Sequence, residues 1–260
     1  MRLSTLGAVA RTCVTDPRAL LAPKRYVFLL SHMRSYSTLL AHILGSHPEI
    51  AGHFERLAAY AGWPDLVRAR FTEAQSGTPS SYRYLLDKLL HNEYRLDGSI
   101  LDRDDVRLVV FLRRPADALP SMVRLTRMTP LGDRFEGLPR LTEYYRARMD
   151  GIIADASHAS HRPIYFDAEA IVDTPDALLA ELSTWLELSA PLSPEYQVFD
   201  DTGERFRGDV SPRITQGRIV KKSRSEAPVE VPPDLLAEAE KAYRQARERI
   251  LEVCEPILAS

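Results

Sequence analysis

The sequence predicts an α/β fold, a single three-layer domain in which helices cover a central parallel sheet. Two apolar runs, residues 26–30 and 108–112, are continuous and rich in aromatic or branched side chains. Such runs are typical of strands buried on both faces. Helical patterns separate them, and that alternation indicates βαβ units. With 260 residues, the chain is long enough for one such domain and needs no second one.

The elements around the first strand follow from local patterns. Residues 1–24 precede it and form an N-terminal extension in this reading. After a polar loop, residues 38–44 predict a helix that ends at Gly45. Residues 82–91 predict a second helix, because apolar side chains recur on one helical face: Tyr82, Leu85, Leu86, Leu89 and Leu90.

The second strand, residues 108–112, leads into a helix that begins at Pro115, a residue favoured in the first helical turn. A third strand is predicted at residues 163–166. Helices are predicted after it at residues 168–172 and 176–188, and Thr174-Pro175 provides the cap and first turn of the second one.

The last quarter of the chain divides into a loop and a helix. Residues 195–233 are polar with little periodicity, and irregular loops of that length within a domain are usually functional. Residues 234–258 predict a C-terminal helix with apolar side chains at seven-residue steps: Leu236, Tyr243, Ile250 and Ile257. We expect this helix to pack on the domain, because a coiled-coil seam needs more heptads.

The composition is that of an ordinary soluble globular protein, with 45% hydrophobic and 27% charged residues. The formal net charge of −2 predicts no nucleic-acid partner and no anionic membrane surface, so any anion site must be local. The two cysteines, Cys13 and Cys254, indicate free thiols in a reducing compartment. No stretch is long and apolar enough for a membrane span or a signal peptide, which predicts a cytoplasmic location.

The most informative segment is the loop between the first strand and the first helix. Hydroxyl groups stand at the start of the helix, on Ser35, Ser37 and Thr38. Arg34 adds a positively charged guanidinium group, whose N–H donors lie in one plane. Backbone N–H groups and the helix dipole favour a phosphate or sulfate there. A simple helix cap would explain one hydroxyl residue but not three beside an arginine. The loop lacks the glycine and lysine of the nucleoside-triphosphatase phosphate loop.

This loop resembles the 5′-phosphosulfate-binding loop of sulfotransferases that use 3′-phosphoadenosine 5′-phosphosulfate (PAPS). The matching residues are Arg34, Ser35, Tyr36, Ser37, Thr38, Leu39 and Leu40. Tyr36 stands where that family usually has glycine, which tolerates backbone angles that are costly for tyrosine. The resemblance is to a bacterial member of the branch that, like tyrosylprotein and carbohydrate sulfotransferases, uses a carboxylate base.

A second block after residues 108–112 is similar to the 3′-phosphate block of the same family. By this resemblance, Arg113 and Ser121 hold the 3′-phosphate of PAPS. A forked donor at a strand end and a hydroxyl on the next helix can converge on one dianion. Arg114 and Ala116 depart from the usual pattern, in which Asp and Arg occupy these positions.

The resemblance also implies a catalytic set. Glu55, 21 residues after Arg34, is expected to be the general base, with His53 ranked second and His32 third. Lys88 and Arg34 are expected to stabilise charge on the transferring sulfate and its leaving group. We expect these two cations to keep Glu55 ionised at neutral pH, in spite of partial burial.

Later segments carry weaker resemblance. Tyr165 matches the tyrosine that approaches the adenosine, and Ser211, Arg218 and Lys221 match the loop that closes over the nucleotide. The basic loop at residues 213–224 is equally well explained as a run of charged side chains exposed to solvent. No Cys/His cluster has metal-ligand spacing, so no metal is expected.

The resemblance as a whole implies a transferase that moves a sulfuryl group from PAPS to a hydroxyl on a small acceptor and releases adenosine 3′,5′-bisphosphate (PAP). Two alternatives stay open at this stage, a kinase-like phosphotransferase and a non-catalytic nucleotide-binding protein. The sequence specifies neither the acceptor nor the oligomeric state.

Overall fold

A computed structural model describes residues 22–76, 78, 80–128, 135–200, 202–203, 212–220 and 229–258. The strands are β1 (Arg25–Leu30), β2 (Ile50–Ala51), β3 (Tyr84–Leu89), β4 (Val106–Leu112), β5 (Ile164–Asp167) and β6 (Glu255–Pro256). The helices are α1 (Ser37–Gly45), α2 (Trp63–Gln75), α3 (Gly98–Leu101), α4 (Pro115–Met128), α5 (Gly137–Ser157), α6 (Ala170–Asp173), α7 (Pro175–Trp185) and α8 (Pro233–Val253).

The strands form one six-stranded sheet in the order β2-β3-β1-β4-β5-β6, and every neighbouring pair is parallel. Apolar side chains pack on both faces of this sheet, in two separate clusters. The predicted α/β fold with a central parallel sheet is thereby confirmed, and so are the three predicted strands. The carboxyl ends of β3, β1 and β4 lie side by side, so the loops that follow these strands meet at one edge.

The prediction of a helix over residues 82–91 is wrong, because the chain forms β3 there. All six residues of β3 are buried, including Asp87 and Lys88. A strand covered on both faces shows no polar alternation, and its paired leucines then resemble one face of a helix. The correction matters for function, since Lys88 stands next to the last residue of an interior strand.

The predicted first helix and the helix start at Pro115 are confirmed, within a residue or so at each bound. The C-terminal helix packs on α5 and α4 as expected, through Ala239, Tyr243, Ala246 and Ile250. It ends at Val253, five residues earlier than predicted, because Glu255–Pro256 pairs with β5 as an edge strand.

The predicted irregular loop at residues 195–233 contains, in its described part, a 3₁₀ turn at Ile214–Gln216 and a backbone bridge between Glu195 and Arg218. None of the helices described is long and apolar enough to cross a membrane. Within the described ranges, no group of three His, Cys, Asp or Glu residues is arranged to hold a metal ion. Cys254 is a buried free thiol, and Cys13 lies outside the described residues.

Candidate active site

The loop between β1 and α1 takes an unusual backbone path. Arg34 and Tyr36 have φ values of 63° and 67°, in the left-handed region that favours glycine. Tyr36 therefore adopts the conformation that the usual glycine would provide, at a cost of roughly 1–2 kcal/mol for a residue with a side chain. Contacts of the Tyr36 side chain are therefore needed to offset this strain.

Buried hydrogen bonds fix this loop to the end of β4. The Ser35 hydroxyl donates to the His32 carbonyl at 2.8 Å, and the Arg113 amide donates to His32 Nε2 at 3.0 Å. His32 Nδ1 lies 2.9 Å from the Met33 carbonyl, which assigns the proton to Nδ1. Burial lowers the pKa of His32 to about 3. The imidazole is therefore neutral and holds the loop together, and it is no longer a candidate base.

Arg113 forms the centre of a cationic cluster at this edge of the sheet. Its Nη1 donates to the Arg34 carbonyl at 2.7 Å, and its Nη2 donates to the Tyr36 hydroxyl at 2.9 Å. The guanidinium carbon lies 4.1 Å from the centre of the Tyr36 ring. Arg34 Nε in turn donates to the Ser121 hydroxyl at 3.0 Å. The two predicted phosphate blocks, 87 residues apart in sequence, thus meet directly.

The charge of Arg113 is buried without an opposite partner. Only 5% of Arg113 is exposed, and its Nε has no hydrogen-bond acceptor. No carboxylate in the described part of the chain forms an ion pair with it. Burial lowers the pKa of Arg113, the direction expected for a cation removed from water. A buried cation of this kind is costly unless an anion compensates its charge.

Eight of the residues predicted to bind nucleotide line one cleft next to this cluster: Arg34, Tyr36, Ser37, Thr38, Leu39, Arg113, Ser121 and Arg218. The cleft measures about 760 Å³ with its open mouth included. Its other lining residues were not assigned individually from the sequence: Val172, Tyr196, Arg213, Ile214 and Val220. Ser35 is buried beneath the loop, and Ser211 and Lys221 lie outside the described residues.

Lys88 brings a second charge to the start of α1. It is fully buried, and its Nζ lies 3.4 Å from the Thr38 hydroxyl in the first turn of the helix. An ammonium group next to a helix N-terminus adds to the positive end of the helix dipole. The structure thus places Lys88 next to the first turn of α1, which carries Ser37 and Thr38, and its catalytic role stays a prediction.

Glu55 faces Lys88 across the protein interior. Its Oε1 is buried and has no hydrogen-bond partner. Burial raises the pKa of Glu55 to about 7, while the charge of Lys88 opposes that rise. The expectation that cations would keep Glu55 fully ionised is therefore wrong, since loss of hydration outweighs the attraction. The residue is half protonated near neutral pH.

The second cation acting on Glu55 is Arg148, not Arg34 as expected from the sequence. Arg148 is 1% exposed and donates to the carbonyls of Ser31 at 2.8 Å and Leu89 at 2.6 Å, and to Asn92 at 2.9 Å. It therefore joins the carboxyl ends of β1 and β3. Sequence reasoning missed Arg148 because no family motif covers α5, although an arginine on the apolar stripe of a helix was a signal.

The rival base His53 belongs to an aromatic cluster. Its ring stacks on Phe199 with centroids 3.7 Å apart and meets His42 edge-on at 5.5 Å. His53 and Glu55 line different cavities. The geometry therefore gives His53 packing contacts, whereas Glu55 is the group facing Lys88.

Tyr165, the predicted adenosine contact, lies away from the cleft. Its side chain is fully buried in β5, and its hydroxyl donates to Asp167 Oδ1 at 2.6 Å. Asp167 also accepts two hydrogen bonds from Arg247, each at 2.9 Å. Burial raises the pKa of Tyr165. The structure gives Tyr165 a place in the core, whereas Tyr36 and Tyr196 are tyrosines that line the cleft.

Comparison with known proteins places the fold. No protein-family model matches the sequence, and no curated protein matches it significantly. Among solved structures, the chain is similar to the sulfotransferase domain from the curacin biosynthetic pathway, with a TM-score of 0.57 and 19% identity over 86% of this chain and 98% of that one. The sulfotransferase domain from the Synechococcus PCC 7002 olefin synthase aligns with a TM-score of 0.49 and 21% identity, covering 84% of this chain and 94% of that one. The chain therefore has the fold of a sulfotransferase domain.

Proposed function

We propose that this protein is a PAPS-dependent sulfotransferase that transfers a sulfuryl group to the hydroxyl of a small acceptor. One observation carries the proposal: among the residues that the structure describes, Arg113 is a buried cation without a carboxylate partner and with an unused Nε, and its side chain lines a cleft together with further arginines. A buried guanidinium with spare donors is suited to a phosphate dianion. An ordinary structural arginine would have been given a carboxylate or carbonyl for each donor.

The cleft offers two separate places for anions. Arg113 and Ser121, with Arg34 bonded to Ser121, would hold the 3′-phosphate. The first turn of α1, with the hydroxyls of Ser37 and Thr38, would hold the 5′-phosphosulfate through backbone N–H groups and the helix dipole. Leu39, Tyr196 and Arg218 line the same cleft and would contact the nucleoside. These residues fit PAPS better than ATP, which has no 3′-phosphate.

The catalytic groups are proposed on the same geometry. Bound PAPS supplies a sulfuryl group on a phosphate that can leave. Lys88, 3.4 Å from the Thr38 hydroxyl, would place its charge where negative charge grows as that phosphate departs. Glu55 would accept the proton of the acceptor hydroxyl through its unpaired Oε1. Arg34, held by Ser121, is proposed to act mainly at the 3′-phosphate end.

A comparison of nucleotides by calorimetry tests the donor. We expect PAP to bind at least tenfold more tightly than ADP, since only PAP has the 3′-phosphate that Arg113 would bind. The same protein, supplied with ³⁵S-labelled PAPS and simple alcohols or phenols, should release PAP together with a labelled ester. Preference for ADP would support a kinase-like enzyme and end this proposal. PAP binding without any turnover would instead support a nucleotide-binding protein.

A further inference from the structure

Tyr36 is the residue of the phosphosulfate loop that family resemblance does not explain. Its backbone lies in the left-handed region, with φ 67°, where a side chain is strained. Its side chain turns into the cleft and contacts Arg113 in two ways. The Tyr36 hydroxyl accepts from Arg113 Nη2 at 2.9 Å, and the ring lies 4.1 Å from the guanidinium carbon.

We infer that Tyr36 determines specificity for a terminal 3′-phosphate, by holding Arg113 in place and by donating its own hydroxyl proton to that phosphate. The inference rests on the proposed function, because it needs a nucleotide with a 3′-phosphate in the cleft. It adds a residue and a hydrogen bond that glycine at this position cannot provide.

The hydrogen-bond pattern supports the donor role. A tyrosine hydroxyl has one proton to donate, and here its oxygen already accepts from Arg113. No acceptor for the Tyr36 proton occurs among the residues the structure describes. Burial raises the pKa of Tyr36, so the hydroxyl keeps its proton at every working pH. A phosphate oxygen bound to Arg113 would therefore lie near a hydroxyl donor that is not yet engaged.

The ring explains why Arg113 is ready for the phosphate before it arrives. The aromatic face and the Arg34 carbonyl fix the guanidinium from two sides, with Nη1 donating to that carbonyl at 2.7 Å. The Nε donor is the one left without a partner. An arginine fixed in this way loses little side-chain entropy on binding, which increases affinity for the group it faces.

Three variants and two ligands separate this inference from the proposed function. Calorimetry would compare PAP with adenosine 5′-monophosphate, which lacks the 3′-phosphate, in the wild type, in Tyr36→Phe and in Tyr36→Gly. Tyr94→Phe, on a partly buried tyrosine that does not line the cleft, is the matched control. We expect Tyr36→Phe to lower PAP affinity roughly tenfold and to leave the monophosphate unchanged. Tyr36→Gly should lower PAP affinity further, because the ring is lost as well.

The outcomes are distinct. A wild type that binds both nucleotides equally would overturn the proposed function itself. A wild type that prefers PAP, together with a Tyr36→Phe variant that keeps the full preference, would overturn the inference alone. Equal weakening of both ligands would give Tyr36 only a structural role in the loop and would also overturn it. A thermal unfolding curve for each variant shows that the comparison is made on folded protein.

Discussion

Individual residues at the carboxyl edge of the sheet divide the candidate site into two groups. Arg34, Tyr36, Arg113 and Ser121 are joined by direct contacts around one unpaired donor. Lys88 and Glu55 belong to the other group: Lys88 lies at the first turn of α1, and its charge acts on the carboxyl group of Glu55. The first group is suited to hold an anion, and the second is suited to move a proton and stabilise charge.

Arg113→Ala should lower the affinity for PAP by roughly 10- to 150-fold, because one charge-assisted hydrogen-bond partner is lost. Binding of adenosine 5′-monophosphate should change little, because that ligand lacks the 3′-phosphate. The neighbouring Arg114, which is exposed, provides the control Arg114→Ala. Calorimetric titration measures all four combinations. Equal weakening of the two ligands by Arg113→Ala would show that the residue only supports the loop.

Lys88→Met should lower kcat by roughly a hundred- to a thousandfold, because charge stabilisation at the leaving group is lost. Methionine retains the length of the side chain, so PAP affinity should fall much less than turnover. Single-turnover assays with labelled PAPS separate the two effects. Near-normal turnover would remove Lys88 from the catalytic set.

Glu55→Gln should lower turnover by roughly a hundred- to ten-thousandfold while PAP still binds, since the shape is kept and the basicity is lost. In the wild type, turnover should rise with pH through about 7, because the base works only when ionised and burial raises the pKa of Glu55 to about 7. A pH profile of turnover checks both statements. An active Glu55→Gln with an inactive His53→Ala would move the base to the imidazole.

Sequence motifs were enough to place Arg34, Ser37, Thr38, Arg113 and Ser121 around one cleft. They were sufficient because these residues lie in the loops and helices that follow β1 and β4, and parallel strands bring their carboxyl ends together. The motifs failed for Tyr165, where the match was a single aromatic residue within an apolar strand. They also gave no measure of burial, so the balance of forces on Glu55 was misjudged.

Among the elements, β3 and α5 account for most of what the sequence did not show. The two faces of β3 pack into the two apolar clusters, so burial on both faces removed the alternation that identifies a strand. α5 has no motif at all, yet it supplies Tyr144, which accepts from the Met33 amide at 2.8 Å, and Arg148. A helix that only packs against the site is constrained by the volume and polarity of its side chains. Many sequences meet that requirement, so no motif identifies such a helix.

The substitution Arg148→Met tests whether α5 stabilises the carboxyl ends of β1 and β3. Three hydrogen bonds at the ends of β1 and β3 would be lost, to the carbonyls of Ser31 and Leu89 and to the side chain of Asn92. We expect a loss of stability on the order of 3 kcal/mol. The pH midpoint of turnover should also move upward, because the charge of Arg148 lowers the pKa of Glu55. Arg146→Met, on the exposed side of the same helix, is the control for urea unfolding and for the pH profile.

At the scale of the whole molecule, Glu55 links function to stability. Its ordinary pKa of 4.5 applies to the unfolded chain, and burial raises the folded value to about 7. The unfolded chain therefore releases the proton first as pH rises, and stability falls between these two values and then levels off. The total loss is on the order of 3 kcal/mol, at about 1.4 kcal/mol for each pH unit between them.

Glu55→Gln should remove that loss. We expect the variant to unfold at a higher urea concentration than the wild type at pH 8, and the difference should shrink as the pH approaches 5. The exposed Glu181→Gln should show no such dependence. A constant difference at all pH values would mean that the carboxylate is hydrated in the folded protein.

The hydrogen bonds that fix the loop after β1 determine how often this loop opens. The Ser31 hydroxyl donates to the Phe111 carbonyl at 2.6 Å, the Arg113 amide to His32 at 3.0 Å and the Met33 amide to Tyr144 at 2.8 Å. Surface loops usually exchange their amide hydrogens through small local openings. This loop can open only when β4 and α5 separate from it, so its amides should exchange as slowly as those of the sheet. The loop between β1 and α1 would then keep its conformation for as long as the protein stays folded. A nucleotide that binds there would find the loop already in its binding conformation.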